Sequence, residues 1–172
     1  MEGLCISDYV DVIALVVASF SLIISCYFSY LQQKHNKNSV KPIASIIFSD
    51  YEDLIRVRIK NSGTGPLIIK KVTVIKKDQT KSDLISFMPH INQTWKDFTT
   101  NFEGLALSVN DEIAMISLIP INDENKYQVR QALSDITIKV EYEDVYGTKF
   151  EIQRKCDFFG RHFQTTAVPR RE

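Results

Sequence analysis

Four groups of residues in this chain have types and spacing that could do chemistry. The first is "KNSGTGPLIIK", Lys60 to Lys70, where two glycines and a proline sit between two apolar runs and could cradle a phosphate. A phosphate loop of the Walker kind needs G-x-x-x-x-G-K-[ST] opening a helix, whose first amides hold the anion. Here Gly63-Thr64-Gly65-Pro66 leads into a β-branched stretch and lacks the lysine position. The loop therefore reads as a turn, with Asn61 and the glycines tolerating positive φ and Pro66 fixing the start of the next strand.

The second group, "VEYEDVYG", places Glu141 and Glu143 on one side of a strand with Asp144 beside them, a perch for calcium or magnesium. No glycine-punctuated loop or further acid completes it, and the outward face of a half-buried strand is normally charged, so no metal is assigned. The third group is the histidines His35, His90 and His162, which are scattered; there is no HExxH, no GxSxG and no Cys–His pairing at readable spacing. Dispersed residues can still converge in a fold. The expectation is nonetheless a non-enzymatic chain with no catalytic residue and no cofactor.

The fourth group is "RKCDFFGRHF", where Arg154, Lys155, Arg161 and His162 interleave with Phe158, Phe159 and Phe163. Cations beside stacking faces suit a nucleotide, and Arg154, Lys155, Phe158, Phe159, Arg161 and His162 form the candidate ligand set. The same residues suit a last strand that packs its aromatics and solvates its charges, or a basic rim lying on acidic lipid.

The elements that must position these groups begin with an anchor. From Val12 to Leu31 the chain reads "VIALVVASFSLIISCYFSYL", with no charge, which is about the 20 residues a helix needs to cross a hydrocarbon core roughly 30 Å thick. The preceding "MEGLCISDYVD" holds Glu2, Asp8 and Asp11 and no basic residue, unlike a cleaved signal, so the anchor is read as retained. The other flank carries Lys34, Lys37 and Lys41. By the positive-inside rule this puts the N-terminus outside and the rest in the cytoplasm. Within the anchor, Ala14, Ala18, Ser21, Ser25 and Ser29 recur at spacings that align small residues on one helical face, a surface for self-association and a homo-oligomer.

Composition agrees with this compartment. The 21 basic and 21 acidic residues cancel, so no overall field draws the chain to double-stranded nucleic acid. Three widely spaced cysteines, Cys5, Cys26 and Cys156, form neither a disulfide framework nor a thiolate zinc site and fit a reducing environment.

After Pro42 the periodicity turns from helical to extended. "LIRVRIKN" alternates Ile55, Val57 and Ile59 against Arg56, Arg58 and Lys60; "PLIIKKVTVIKK" is a long strand bent near Lys70-Lys71; "DITIKVEYEDVYGTKFEIQRK" is a hairpin turning at Gly147. Seven or so strands predict a β-sandwich or small barrel. Two short helices interrupt it. One carries Trp95, Phe98 and Phe102 at i, i+3 and i+7; the other is "NDENKYQVRQALSD", capped at Asn122 or Asp123, with Tyr127, Val129 and Leu133 facing the sheet. The organisation is then 1–11 outside, 12–31 transmembrane, 32–41 linker, 42–163 sandwich and 164–172 tail.

The order strand, "NSGTGP", long strand, "VNDEI" and "YEDVYGTKF" resembles uncharacterised bacterial membrane-tethered proteins that join an N-terminal anchor to an immunoglobulin-like sandwich. The resemblance covers most of residues 42–155 and implies fold rather than activity. The layout of anchor plus sensor is also similar to membrane effectors of bacterial antiviral defence, which implies action on the inner membrane, with lipid, a nucleotide signal or a protein as partner.

Overall fold

A computed structural model describes residues 6–163. The chain is mainly β: an N-terminal apolar helix is followed by two antiparallel sheets and one further α-helix. It divides into two compact units, the first ending at Ser39 and the second starting at Val40.

The first unit contains α1, Ile6–Ser39, a single helix long and apolar enough to cross a membrane. Its 34 residues span about 50 Å. The Ser19 and Ser21 hydroxyls donate back to the Leu15 and Val17 carbonyls at 2.8 and 2.9 Å, so these polar groups are satisfied within the helix. The linker expected over 32–41 is mostly helix. Gln32 to Ser39 are polar but compatible with helix, and the helix ends only at Val40, where Lys41-Pro42 disfavours the α conformation. Residues 6–11 of the expected N-terminal segment belong to this helix, while residues 1–5 and the tail, 164–172, lie outside the described residues.

The second unit packs two sheets face to face. One has the order β1 (Ala44–Asp50), β2 (Ile55–Asn61), β7 (Glu112–Leu118), β5 (Asp97–Phe98). The other runs β4 (Gln79–Lys81), β3 (Leu67–Lys76), β8 (Ile136–Glu143), β9 (Lys149–Lys155), with β6 (Ala106–Leu107) also on β3. Between the sheets Ile55, Val57 and Ile59 of β2 oppose Ile136, Ile138 and Val140 of β8, all fully buried. Each such side chain contributes roughly 2 kcal/mol of burial. The expected bend in β3 is a register shift against β8 between Ile69 and Lys71.

Helix α2, Asp123–Ser134, begins where its sequence predicts: the Asn122 side chain accepts from the Asn125 amide at 2.8 Å, with Asp123 and Glu124 in the first turn. Val129 and Leu133 enter the core, but Tyr127 does not. It stays half exposed and meets Phe163 edge to face at 5.0 Å.

The helix predicted through Trp95, Phe98 and Phe102 does not form. Asp97 and Phe98 pair with Ser117 and Ile116 of β7, Phe102 is buried in a loop, and Phe98 is exposed. Pairing with an open sheet edge satisfies backbone groups that a short helix would leave at its ends. The chain after β9 is likewise no strand. It turns into a 3-10 helix, Asp157–His162, that packs on α2.

Candidate functional site

The glycine turn is built around Asn61, whose buried side chain ties five backbone groups. Its amide donates to the carbonyls of Gly65 (2.7 Å), Leu107 (3.1 Å) and Ser108 (3.2 Å), and its oxygen accepts from the amides of Gly63 (3.0 Å) and Ile43 (3.4 Å). The glycines serve a purpose other than the expected one. Positive φ among glycines is recorded at Gly104 and Gly147, not at Gly63 or Gly65. A Cβ at Gly63 would lie 2.4 Å from the Ile43 nitrogen, and one at Gly65 1.8 Å from the Val40 carbonyl oxygen. The glycines allow the incoming chain to lie against the turn, and the amides of Ser62, Gly63 and Thr64 that a phosphate would need are already donated to Ile43, Asn61 and Lys41.

The acidic hairpin is also internally satisfied. Lys139 on β8 reaches Glu141 at 3.4 Å and Glu151 at 3.0 Å, while Glu143 pairs with Lys70 at 3.3 Å. The Glu151 hydrogen bond, with help from Glu141, raises the pKa of Lys139. Asp144 turns inward and accepts from the amides of Tyr146 and Thr148, both at 2.8 Å, which closes the turn around Gly147. The three acids therefore do not converge, and no cluster able to hold a metal occurs among the described residues.

The basic and aromatic group assembles into a corner where β1, β9, α2 and the 3-10 helix meet. Arg154 donates to the Ile46 carbonyl at 2.5 Å and lies over the Phe48 ring at 4.4 Å, linking β9 to β1 across the gap between sheets. Phe48 packs on Phe158 and Phe159 at 6.1 and 5.6 Å. Arg161 stacks on Phe158 at 3.8 Å and reaches Asp50 at 3.3 Å. Arg130 of α2 holds the same carboxylate through two nitrogens, at 2.7 and 3.0 Å.

Of the predicted ligand residues, Arg154, Phe158, Phe159 and Arg161 come together, with Phe159 fully buried. Lys155, opposite Thr137, is exposed and takes no part in these contacts. The side chain of His162 lies outside the described residues. Sequence reasoning missed Phe48, Asp50 and Arg130, which complete the corner. Its guanidinium groups are engaged by carboxylate, carbonyl and rings, so the geometry is that of a lock between elements. Beside it Cys156 is buried at the end of β9, and burial pushes its thiol up from 9.0 to about 12.

On α1, Ala14, Ala18, Ser21, Ser25 and Ser29 are exposed and share one face, because the segment is α-helical throughout.

Fold and site define a class: a helix that can span a membrane, joined to a two-sheet sandwich with self-satisfied polar clusters. No family model matches the chain, and no curated protein does. Among solved structures it is similar to the archaeal flagellum of Methanospirillum hungatei strain JF1, at 13% identity and a TM-score of 0.32, over 90% of this chain and 93% of that one. A likeness of that size carries nothing about role.

Proposed function

We propose that this protein is a membrane-anchored, non-enzymatic sensor and effector. Its cytoplasmic sandwich binds a nucleotide signal or a protein partner, and α1 acts on the bacterial inner membrane by self-association, in antiviral defence of the abortive-infection kind. The observation that supports it is α1: large apolar side chains from Tyr9 to Leu31 stand exposed around the helix, interrupted by an aligned row of alanine and serine. Lipid is the natural cover for such a helix, and close backbone approach along the small residues is what holds helices together where no hydrophobic drive exists. By the positive-inside rule, the lysines at 34, 37 and 41 favour a cytoplasmic side for the sandwich. Dye uptake after induction, in the parental chain and in Ser21→Leu/Ser25→Leu, tests it. Uptake that depends on the small face supports the effector; uptake absent from the parental chain, or unchanged by the bulky residues, overturns it.

A second reading, a tether that recruits a cytoplasmic partner, is favoured by the saturated corner at Arg154 and Arg161, which leaves little cationic capacity for a ligand there.

A further inference from the structure

The edge of β3 that faces away from β8 is covered at both ends and open in the middle. At its start β6 pairs with Leu67 and Ile68, and the loop before β6 continues the contact: the Gly104 amide donates to the Ile69 carbonyl at 2.9 Å and the Ile69 amide to the Leu105 carbonyl at 2.8 Å. At its end β4 pairs from Val74 onward. Over Lys70 to Thr73 no strand covers this edge among the described residues, and a cleft of about 630 Å³ opens there. One wall is the 100–103 loop, which runs into the Gly104 and Leu105 backbone bonds to Ile69, and the other is β4, paired with the end of β3.

Lys70, Lys71 and Lys81 line the cleft against a single acid, Glu103. Two of the lysines are held in place. Lys81 donates to the Ser86 carbonyl at 2.8 Å and sits 4.9 Å over the Phe87 ring, and Lys70 meets Glu143 at 3.3 Å. Lys71 has no ion-pair partner among the described residues. The hydroxyls of Thr73 and Thr80 and the amide of Asn101 add polar contacts, while Phe102, buried in the core, anchors the loop that forms this side of the cleft.

The open edge invites strand addition, but a register shift and adjacent lysines are the usual devices that blunt an edge, and the gap is four residues long. A compact ligand fits better. The volume lies within the roughly 300–1,000 Å³ typical of small-molecule sites and exceeds what inorganic phosphate fills. We propose that this cleft binds a phosphate-bearing organic anion of nucleotide size, its phosphates on Lys71 and Lys81 and its remaining polar groups on Thr73, Thr80 and Asn101. The site deepens the sensing half of the proposed function and rests on it for biological meaning. Its test reads binding alone, so it fails or holds independently of dye uptake.

The experiment is a calorimetric titration of ATP, as probe, into the full chain in phosphatidylcholine nanodiscs. Saturable binding is expected, at least tenfold weaker in Lys71→Ala/Lys81→Ala, largely kept in Lys71→Arg, and unchanged in Lys96→Ala, an exposed lysine away from the cleft. Unfolding followed by Trp95 fluorescence, with an unchanged midpoint, verifies that the double variant remains folded. Repeating the titration in nanodiscs containing phosphatidylglycerol separates two sources of the same chemistry: competition points to a lipid headgroup, and no competition to a free solute. No saturable binding of ATP, or binding equal in the parental chain and Lys71→Ala/Lys81→Ala, overturns the proposal.

Discussion

The Asn61 side-chain amide donates to the Gly65 carbonyl at 2.7 Å, and that single bond fixes the turn through which the chain passes from β2 to β3. Because the same side chain also serves Ile43, Gly63, Leu107 and Ser108, it joins the start of β1 and the loop after β6 to one buried point. Asn61→Ala strands several buried backbone groups, each costing about 1–3 kcal/mol. The expected result is a loss of about 3 kcal/mol or more in denaturant unfolding followed by Trp95 fluorescence.

Gly65→Ala probes the close approach itself. The added methyl would lie 1.8 Å from a backbone oxygen, which cannot rotate away as a side chain would. Overpacking of this kind costs about 1–3 kcal/mol and upward. Gly147→Ala is destabilising for another reason, since Gly147 has φ 77 and open space around it; about 1 kcal/mol is expected. Thermal melts of both variants should rank Gly65→Ala as the more damaging.

Asp50 distinguishes a buried from an exposed ion pair. Its carboxylate side chain is fully covered, Arg130 is 16% exposed and Arg161 is 44% exposed. Asp50→Ala leaves the Arg130 charge buried without this partner, and breaking such a pair costs about 3–5 kcal/mol. Arg161→Ala removes the more exposed contact, for which solvent screening limits the loss to about 1 kcal/mol. A double-mutant cycle on Asp50 and Arg130, read by urea unfolding, measures the coupling.

These relationships also mark what a sequence conveys. Strands β2 and β8 were legible because one face of each is buried, so the period of two survives in the residue types. The start of α2 was legible because a cap is local. The aromatics Trp95, Phe98 and Phe102 misled, since spacing of three and four also arises by chance along a loop and a two-residue edge strand, where Phe102 is buried, Trp95 partly buried and Phe98 exposed. The corner at Arg154 was half visible. Its own cations and rings lie within one segment, but Phe48, Asp50 and Arg130 come from β1 and α2, and only the packing of two sheets brings them together. Asn61 belongs to the same category: a turn asparagine and a buried hub look identical in sequence.

Cys156 gives a pH-dependent expectation. Burial favours the neutral thiol, so its folded pKa, about 12, lies above the unfolded value of 9.0. The unfolded chain therefore loses this proton first as pH rises. The stabilisation is complete below about pH 9 and is lost progressively as pH climbs from 9 toward 12, by an amount on the order of 4 kcal/mol. Comparing parental and Cys156→Ala unfolding between pH 8 and 10.5 isolates this contribution, and the parental chain should show the steeper decline. Alkylation by iodoacetamide at pH 8 should spare Cys156 until denaturant is added.

Cross-linking tests which face of α1 meets another copy, using a contrast already present in the chain. Ser25 lies on the row formed by Ala14, Ala18, Ser21 and Ser29, whereas its neighbour Cys26 is turned about 100° around the helix. If the small residues pack against the same row of a second α1, backbones approach there and not at position 26. A cysteine pair must bring its Cα atoms within about 7 Å to form a disulfide, so the geometry is discriminating. Native Cys26 should therefore cross-link poorly under mild oxidation in the membrane, while Ser25→Cys in a Cys26→Ala background should form a dimer efficiently. Ser21→Cys in that background should behave like Ser25→Cys, one helical turn away, and Ile24→Cys, displaced to the other side of the row, should not. Equal cross-linking at positions 24, 25 and 26 would mean random collision of single anchors, and α1 would then act as a tether with no specific packing face.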